Sequence, residues 1–111
     1  MSKPKIIVSS AYKKRLGDIE DFVYESSGQN YSAVDAFLSE HDRVLEFIKN
    51  NPMTPASHPH TGDQTWPFGD GRYRLFFKFN GEKIDLLEVI DNRMSNLKIY
   101  PNNSLPTYHE D

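Results

Sequence analysis

Two short dipeptides, Asp70-Gly71 and Asn80-Gly81, constrain this sequence more than any other feature. Both dipeptides tolerate the positive φ angles of tight hairpin turns, and they stand one strand length apart. The sequence therefore predicts three consecutive antiparallel strands within residues 64–92. The last of them, residues 83–91, is apolar on both faces at its centre, which is typical of an interior strand.

The N-terminal part of the chain predicts a strand followed by a helix. Residues 5–9 form a short run rich in β-branched side chains, which favours a strand. Apolar residues then recur at three- and four-residue spacing over residues 11–26, which indicates a helix. We expect Ser9 or Ser10 to cap this helix and Gly28 to end it in a left-handed conformation.

A second helix is predicted after a short connection. Ser32 and Asp35 approximate a capping box, and an apolar stripe follows them until residues 50–52, Asn-Asn-Pro. Because few residues separate the two helices, we expect an antiparallel helical hairpin that packs on the sheet. The predicted fold class is α+β, with an N-terminal strand, the helical hairpin and a three-strand antiparallel meander.

Size and composition set limits on the class of protein. With 111 residues and 37% hydrophobic content, the chain has room for one domain, residues 1–111, with one core. The segment 101–111 contains two prolines and an acidic end, so we expect a mobile tail. Residues 52–63 are predicted to form a loop.

The sequence also argues against several kinds of site. It has no cysteine, so it offers neither a disulfide nor a thiolate zinc site. Its net charge of -3 requires any nucleic-acid contact to come from a local cluster of cations. No apolar run is long enough for a membrane span or a secretory signal, and we expect a cytoplasmic protein.

A local cationic face is predicted on the middle strand. Arg72 and Arg74 are two residues apart, so on a strand they point to the same side, with Lys78 further along. Phe76 lies between them and would offer a ring for stacking beside phosphate contacts. The alternative is an ordinary solvated sheet face.

Arg93 follows the last strand, whose end lies near the start of the middle strand in a meander. We therefore expect its charge to lie close to Arg74. An ion pair with Asp91 or Asp85 is the alternative for Arg93.

Three cations, Lys13, Lys14 and Arg15, fall in the first turn of the first helix. The helix macrodipole favours anions there, so the placement carries a local cost. Binding of phosphate or of an acidic partner would explain it, although exposed lysines at helix starts are common.

The histidines invite a metal or acid–base hypothesis. His58 and His60 flank a proline in the loop, and His109 lies in the tail. No carboxylate stands at a typical ligand spacing, so a metal site is not predicted. Acid–base chemistry near neutral pH is the functional alternative to ordinary loop histidines.

The stretch Gly-Arg-Tyr-Arg-Leu at residues 71–75 resembles the start of the middle strand in the RelE/ParE superfamily, the toxin half of type II toxin-antitoxin systems. Residues 68–77 also look like the corresponding part of its YhaV-like, RNA-cleaving members. The order of predicted elements over residues 5–100 is similar to that of the superfamily. The resemblance implies a RelE/ParE-like fold.

In the RNA-cleaving branch, the resemblance implies an arginine on the middle strand at the transferred phosphate, a supporting arginine after the last strand and a later tyrosine at the ribose hydroxyl. Arg74 falls on the first position and Tyr100 on the last, whereas Arg93 lies one residue short of the second. The lysines of RelE itself are absent, and Thr65 and Pro67 occupy their places.

Because those lysines are missing, proton transfer would need another donor. His58 and His60 precede the strand that carries Thr65, so we expect them to act with Arg74, Arg93 and Tyr100. The remaining cations would then bind RNA: Arg72, Lys78, Lys13, Lys14 and Arg15.

The resemblance therefore implies a toxin, most directly a ribosome-dependent, metal-free mRNA endonuclease that needs no cofactor. The alternatives are a ParE-like inhibitor that binds DNA gyrase without catalysis, or a non-toxic binding module of the same fold. A toxin implies a cognate antitoxin and a hetero-oligomer with it. We expect an antitoxin segment to order across the helical hairpin or the open sheet edge, with acidic groups near Lys13, Lys14, Arg15 or Arg74.

Overall fold

The computed structural model describes residues 3–57 and 62–94. In chain order the elements are β1 (Lys5–Val8), α1 (Ser10–Ser26), α2 (Tyr31–Asn50), β2 (Gln64–Phe68), β3 (Tyr73–Phe79) and β4 (Lys83–Asp91). The strands form one sheet in the order β1-β4-β3-β2. The predicted α+β fold of strand, helical hairpin and three-strand meander is confirmed. The predicted tail, residues 101–111, lies outside the described residues.

The ends of the helices follow from side-chain caps. Ser9 caps α1 as predicted, because its hydroxyl accepts a hydrogen bond from the Tyr12 amide at 3.0 Å. Gly28, with φ of +79°, follows the end of α1, also as predicted. The predicted cap at Ser32 is wrong: Asn30 caps α2, and its Oδ1 accepts from the Ser32 amide at 2.8 Å. An asparagine side-chain carbonyl, like a serine hydroxyl, can accept a hydrogen bond from a free amide in the first turn of a helix.

The two helices run antiparallel and contact each other through aromatic side chains at the tip of the hairpin and between the start of α1 and the middle of α2. At the tip of the hairpin the ring centroids of Tyr24 and Tyr31 are 4.8 Å apart. Near the start of α1, the Tyr12 hydroxyl lies 2.7 Å from Nε2 of His41 on α2, and both side chains are buried. This hydrogen bond satisfies two polar groups that burial would otherwise leave unpaired.

The helices cover one face of the sheet. Phe37 on α2 packs against Tyr73 with ring centroids 4.7 Å apart, and Phe47 stacks on Trp66 at 4.8 Å. Side chains alternate along a strand, so the residues next to Tyr73 and Trp66 point away from the helices. The core under the helices draws on α1, α2, β2, β3 and β4, and Ile6 and Val8 of β1 are partly buried against it. Its fully buried members include Ile19, Ile48, Leu75, Phe77, Ile84 and Val89.

Strand β4 lies inside the sheet, as predicted. It pairs with β3 antiparallel and with β1 parallel, with Lys5 opposite Lys83 and Val8 opposite Leu86. The sequence predicted β1 as a strand but not its partner. A parallel pair needs a long crossover connection, and α1 and α2 supply it.

The pairing of β3 with β4 contains a register shift. Phe76 pairs with Glu88 whereas Phe77 pairs with Leu86, so Leu87 is an extra residue in β4. The prediction that Phe76 offers a ring on an exposed cationic face is wrong, because Phe76 is only 1% exposed. The alternation of side chains along β3 predicts one solvated face, but the centre of β3 is buried on both faces.

None of the helices in the described part of the chain is both long and apolar enough to cross a membrane.

The buried His41 makes stability depend on pH. Burial lowers the pKa of His41 below its ordinary value, against the opposing effect of Asp42. The unfolded chain therefore binds a proton near pH 6.5 that the folded chain does not. We expect the free energy of unfolding to fall as the pH is lowered through 6.5 and to level off below the pKa of the folded state.

Urea unfolding between pH 8 and pH 5 measures this dependence. Replacing His41→Gln removes the buried imidazole, so the variant should lose less stability than the parent over this interval. Parallel pH profiles for the two proteins would contradict the assignment to His41.

Candidate functional site

A cleft of about 350 Å³ opens where the tip of the helical hairpin meets the turn between β2 and β3. Its apolar floor includes Phe37 of α2 and the ring of Tyr73. Its polar lining consists of Ser26, Ser27, Glu40, Asp70, Arg72 and Arg93. The cleft combines hydrogen-bond donors and both signs of charge over an aromatic base, which suits recognition of a polar group.

Tyr73 forms the base of the cleft because Gly69 allows a close approach. Gly69 has a φ of +62°, and a Cβ built on it would lie 2.6 Å from Cδ2 of Tyr73. Burial and the nearby Asp91 raise the pKa of the Tyr73 hydroxyl above its ordinary value, against the opposing effects of Arg93 and Arg72. At neutral pH the hydroxyl is therefore protonated, and it accepts a hydrogen bond from Nη2 of Arg93 at 3.5 Å.

Arg93 is held in a bidentate ion pair with Asp91. Its Nε lies 3.1 Å from Oδ1 and its Nη2 lies 2.8 Å from Oδ2 of Asp91, whose side chain is 0% exposed. These hydrogen bonds raise the pKa of Arg93. The guanidinium also lies over the Phe22 ring, 5.0 Å from its centroid. Of the two alternatives, the ion pair with Asp91 is confirmed, and it neutralises the charge of Arg93.

Arg74 points to the other side of the sheet. Its Nη1 donates to Oγ1 of Thr65 at 3.0 Å, and the same hydroxyl donates to the Leu75 carbonyl at 3.0 Å. Thr65 occupies a position where the superfamily resemblance implied a lysine, and the sequence did not suggest this hydrogen bond. Lys78, further along β3, is exposed and forms an ion pair with Asp63 at 3.8 Å.

The predicted clustering of the arginines is wrong. Arg72 belongs to the turn before β3 and lies on the same side as Tyr73, towards the helices. Arg74 follows Tyr73 on the strand and therefore faces away. Arg93 folds back onto Asp91 on the Tyr73 side. The described residues thus place Arg72 and Arg93 together in the cleft and Arg74 apart from both.

The three cations at the start of α1 have different surroundings. Arg15 turns inward and forms an ion pair with Glu88 at 3.3 Å. Burial raises the pKa of Glu88, and Arg15 opposes that effect. Lys14 forms an exposed ion pair with Asp18 at 3.6 Å, and Lys13 is exposed. The two lysines face solvent, so only they keep charges available to a partner.

The other predicted site residues, His58, His60 and Tyr100, lie outside the described residues, as does His109. Their roles stay predictions. Within residues 3–57 and 62–94, no three His, Cys, Asp or Glu side chains lie close enough together to hold a metal ion.

The fold is RelE/ParE-like, as the order of elements predicted. No protein-family model and no curated protein sequence matches this chain. Among solved structures, a similar chain comes from a structure described as the chromosomal ParDE TA system from P. aeruginosa. The two chains are 15% identical, with a TM-score of 0.64 over 80% of this chain and 96% of that chain. At this identity the likeness shows the fold alone, and the likeness to YhaV-like members stays a prediction.

Arg93 has a structural role that a substitution should reveal. Arg93→Ala would leave the Asp91 carboxylate, which is 0% exposed, without its cation. We expect a loss of about 2 kcal/mol in the free energy of unfolding, less than for a fully buried pair because Arg93 itself is partly exposed. Urea unfolding of the variant measures the loss.

Two further variants separate this role from general damage to the cleft. Arg72→Ala removes an exposed cation from the same cleft and should cost about 0.5 kcal/mol or less. Adding Asp91→Asn to Arg93→Ala removes the uncompensated charge and should restore part of the loss. Equal losses in Arg72→Ala and Arg93→Ala would contradict the assignment.

Proposed function

We propose that this chain is the toxin of a toxin-antitoxin pair. The observation that carries the proposal is the fold, which superposes on 96% of a chain from a structure described as a ParDE TA system, with a TM-score of 0.64. The Gly-Arg-Tyr-Arg-Leu start of β3 supports it from the sequence side. A toxin has to be held silent in the cell that makes it, so the first partner is a cognate antitoxin.

The geometry of the described residues favours inhibition by binding over cleavage of RNA. Stabilising a phosphoryl group in transit requires donors that converge on its developing charge. Arg93 is already paired with the buried Asp91, and Arg74 lies on the other side of the sheet. Binding a protein target needs no such convergence. ParE-like inhibition of DNA gyrase is therefore the first mechanism that we propose.

Cleavage of mRNA on the ribosome is the second mechanism, and one observation favours it. A guanidinium carries five N–H donors, and the hydrogen bond from Arg74 to Thr65 uses one of them. In the part of the chain that the structure describes, no carboxylate forms an ion pair with Arg74. Its charge is thus available to an RNA phosphate, with Tyr100 and either His58 or His60 moving protons.

Induced expression in a susceptible bacterium tests the function directly. We expect growth arrest, and we expect co-expression of the protein encoded by the neighbouring gene to relieve it. Under the first mechanism, incorporation of labelled thymidine falls before incorporation of labelled methionine, because DNA synthesis stops first. Undisturbed growth would contradict the proposal and indicate a non-toxic binding module.

Arg74→Ala distinguishes the two mechanisms. If the chain inhibits by binding, we expect Arg74→Ala to arrest growth nearly as the parent does. Loss of an electrostatic stabiliser in an endonuclease would instead lower cleavage by about 10² to 10³. Arg43→Ala is the matched control, because Arg43 is a cation in an exposed ion pair on α2 to which no RNA contact is assigned. Loss of arrest in Arg74→Ala alone, with its circular dichroism unchanged, would favour the endonuclease.

A further inference from the structure

The sheet has two edge strands, β1 and β2, and β2 is closed to a further strand. The amide of Thr65 points outward and already donates to the Ala56 carbonyl at 3.0 Å. Pro67 is the next residue whose backbone groups face outward, and proline has no amide hydrogen to donate. An isolated bridge between Ser57 and Gln64 covers the start of the edge. These features prevent strand addition along β2.

The outer edge of β1 is open. The Lys5 amide donates to the Glu82 carbonyl at 3.2 Å, on the side of β4. Backbone groups alternate in direction along a strand, so those of Ile7 also face β4, whereas those of Ile6 and Val8 face outward. Among residues 3–57 and 62–94, the structure gives the outward groups of Ile6 and Val8 no hydrogen-bond partner.

Lysines precede and follow this open edge along the chain. Lys3 and Lys5 stand at its start, and Lys13 and Lys14 follow it in the first two turns of α1. In the described part of the chain, Lys5 and Lys13 form no ion pair, while Lys3 and Lys14 make exposed ones at 3.8 Å and 3.6 Å. Cations are unfavourable at a helix start, and among the residues described Asp18 pairs only with Lys14. An anionic partner at this edge would offset the remaining cost of Lys13.

We propose that an acidic, extended segment of the antitoxin adds to the outer edge of β1 as a further strand of the sheet. This inference rests on the proposed function, since it assigns a docking edge to the partner of a toxin. The amides and carbonyls of Ile6 and Val8 would supply main-chain hydrogen bonds, as in other cases of strand addition. Carboxylates of the segment would meet Lys5 and Lys13, which favours fast association and a specific register.

Amide exchange of the complex with the protein encoded by the neighbouring gene tests the docking edge. In the free chain, we expect the Ile6 and Val8 amides to exchange faster than those of Lys5 and Ile7, which face β4. In the complex, the Ile6 and Val8 amides should exchange at least about tenfold more slowly. The Thr65 amide, on the closed edge, should not change and serves as the internal control.

Charge substitutions test the lysines independently. The double variant Lys5→Gln with Lys13→Gln should raise the Kd of the complex about tenfold at low salt, and the effect should shrink as salt is added. Arg43→Gln with Lys78→Gln removes the same charge from exposed positions on α2 and β3 and is the matched control. Equal weakening by the two double variants would overturn the part assigned to Lys5 and Lys13.

The remaining outcomes are separate. If no complex forms, both the antitoxin in the proposed function and this inference are overturned. A complex that leaves exchange at Ile6 and Val8 unchanged overturns the docking edge alone. If the Ile6 and Val8 amides exchange more slowly as the concentration of the free chain is raised, the edge binds a second copy of this chain. That outcome would overturn the acidic partner.

Discussion

The pairing of β4 on both of its edges is the constraint on which the rest of the structure depends. A tight turn at residues 80–82 brings β3 alongside, but β1 lies parallel to β4, and the chain has to cross the sheet to reach that arrangement. The helical hairpin is that crossing. Its tip therefore comes to lie over the turn between β2 and β3, and the cleft above Tyr73 is a consequence of the pairing at the far edge.

The elements whose determinants are local could be predicted from the sequence. The two glycine-containing turns, the helical periodicity and the Ser9 cap each depend on residues a few positions apart. The partner of β1 could not be predicted, because the register of Lys5 with Lys83 joins opposite ends of the chain. The burial of Phe76 was missed for a related reason, since alternation along a strand does not show whether its second face is covered.

The candidate site shows the same limit. The sequence identified Arg74 and Arg93 as cations near the ends of strands, but the function of a cation depends on what else it contacts. The Asp91 partner of Arg93 is two residues away and was foreseen as an alternative. Thr65 stands where the superfamily resemblance implies a lysine, and its hydroxyl accepts a hydrogen bond from Arg74 across the pair of strands. The sequence around a threonine in a β-strand does not indicate which side chain its hydroxyl will contact.

The extra residue in β4 changes which residues the helices meet. Before Leu87, even-numbered side chains such as Ile84 and Leu86 lie under the helical hairpin; after it, odd-numbered ones such as Val89 and Asp91 do. The bulge thus shifts the alternation of side chains by one residue within a single strand. In a homologue without the counterpart of Leu87, the alternation would run unbroken along the strand, and the equivalent of Asp91 would point away from the helical hairpin without any substitution at that position.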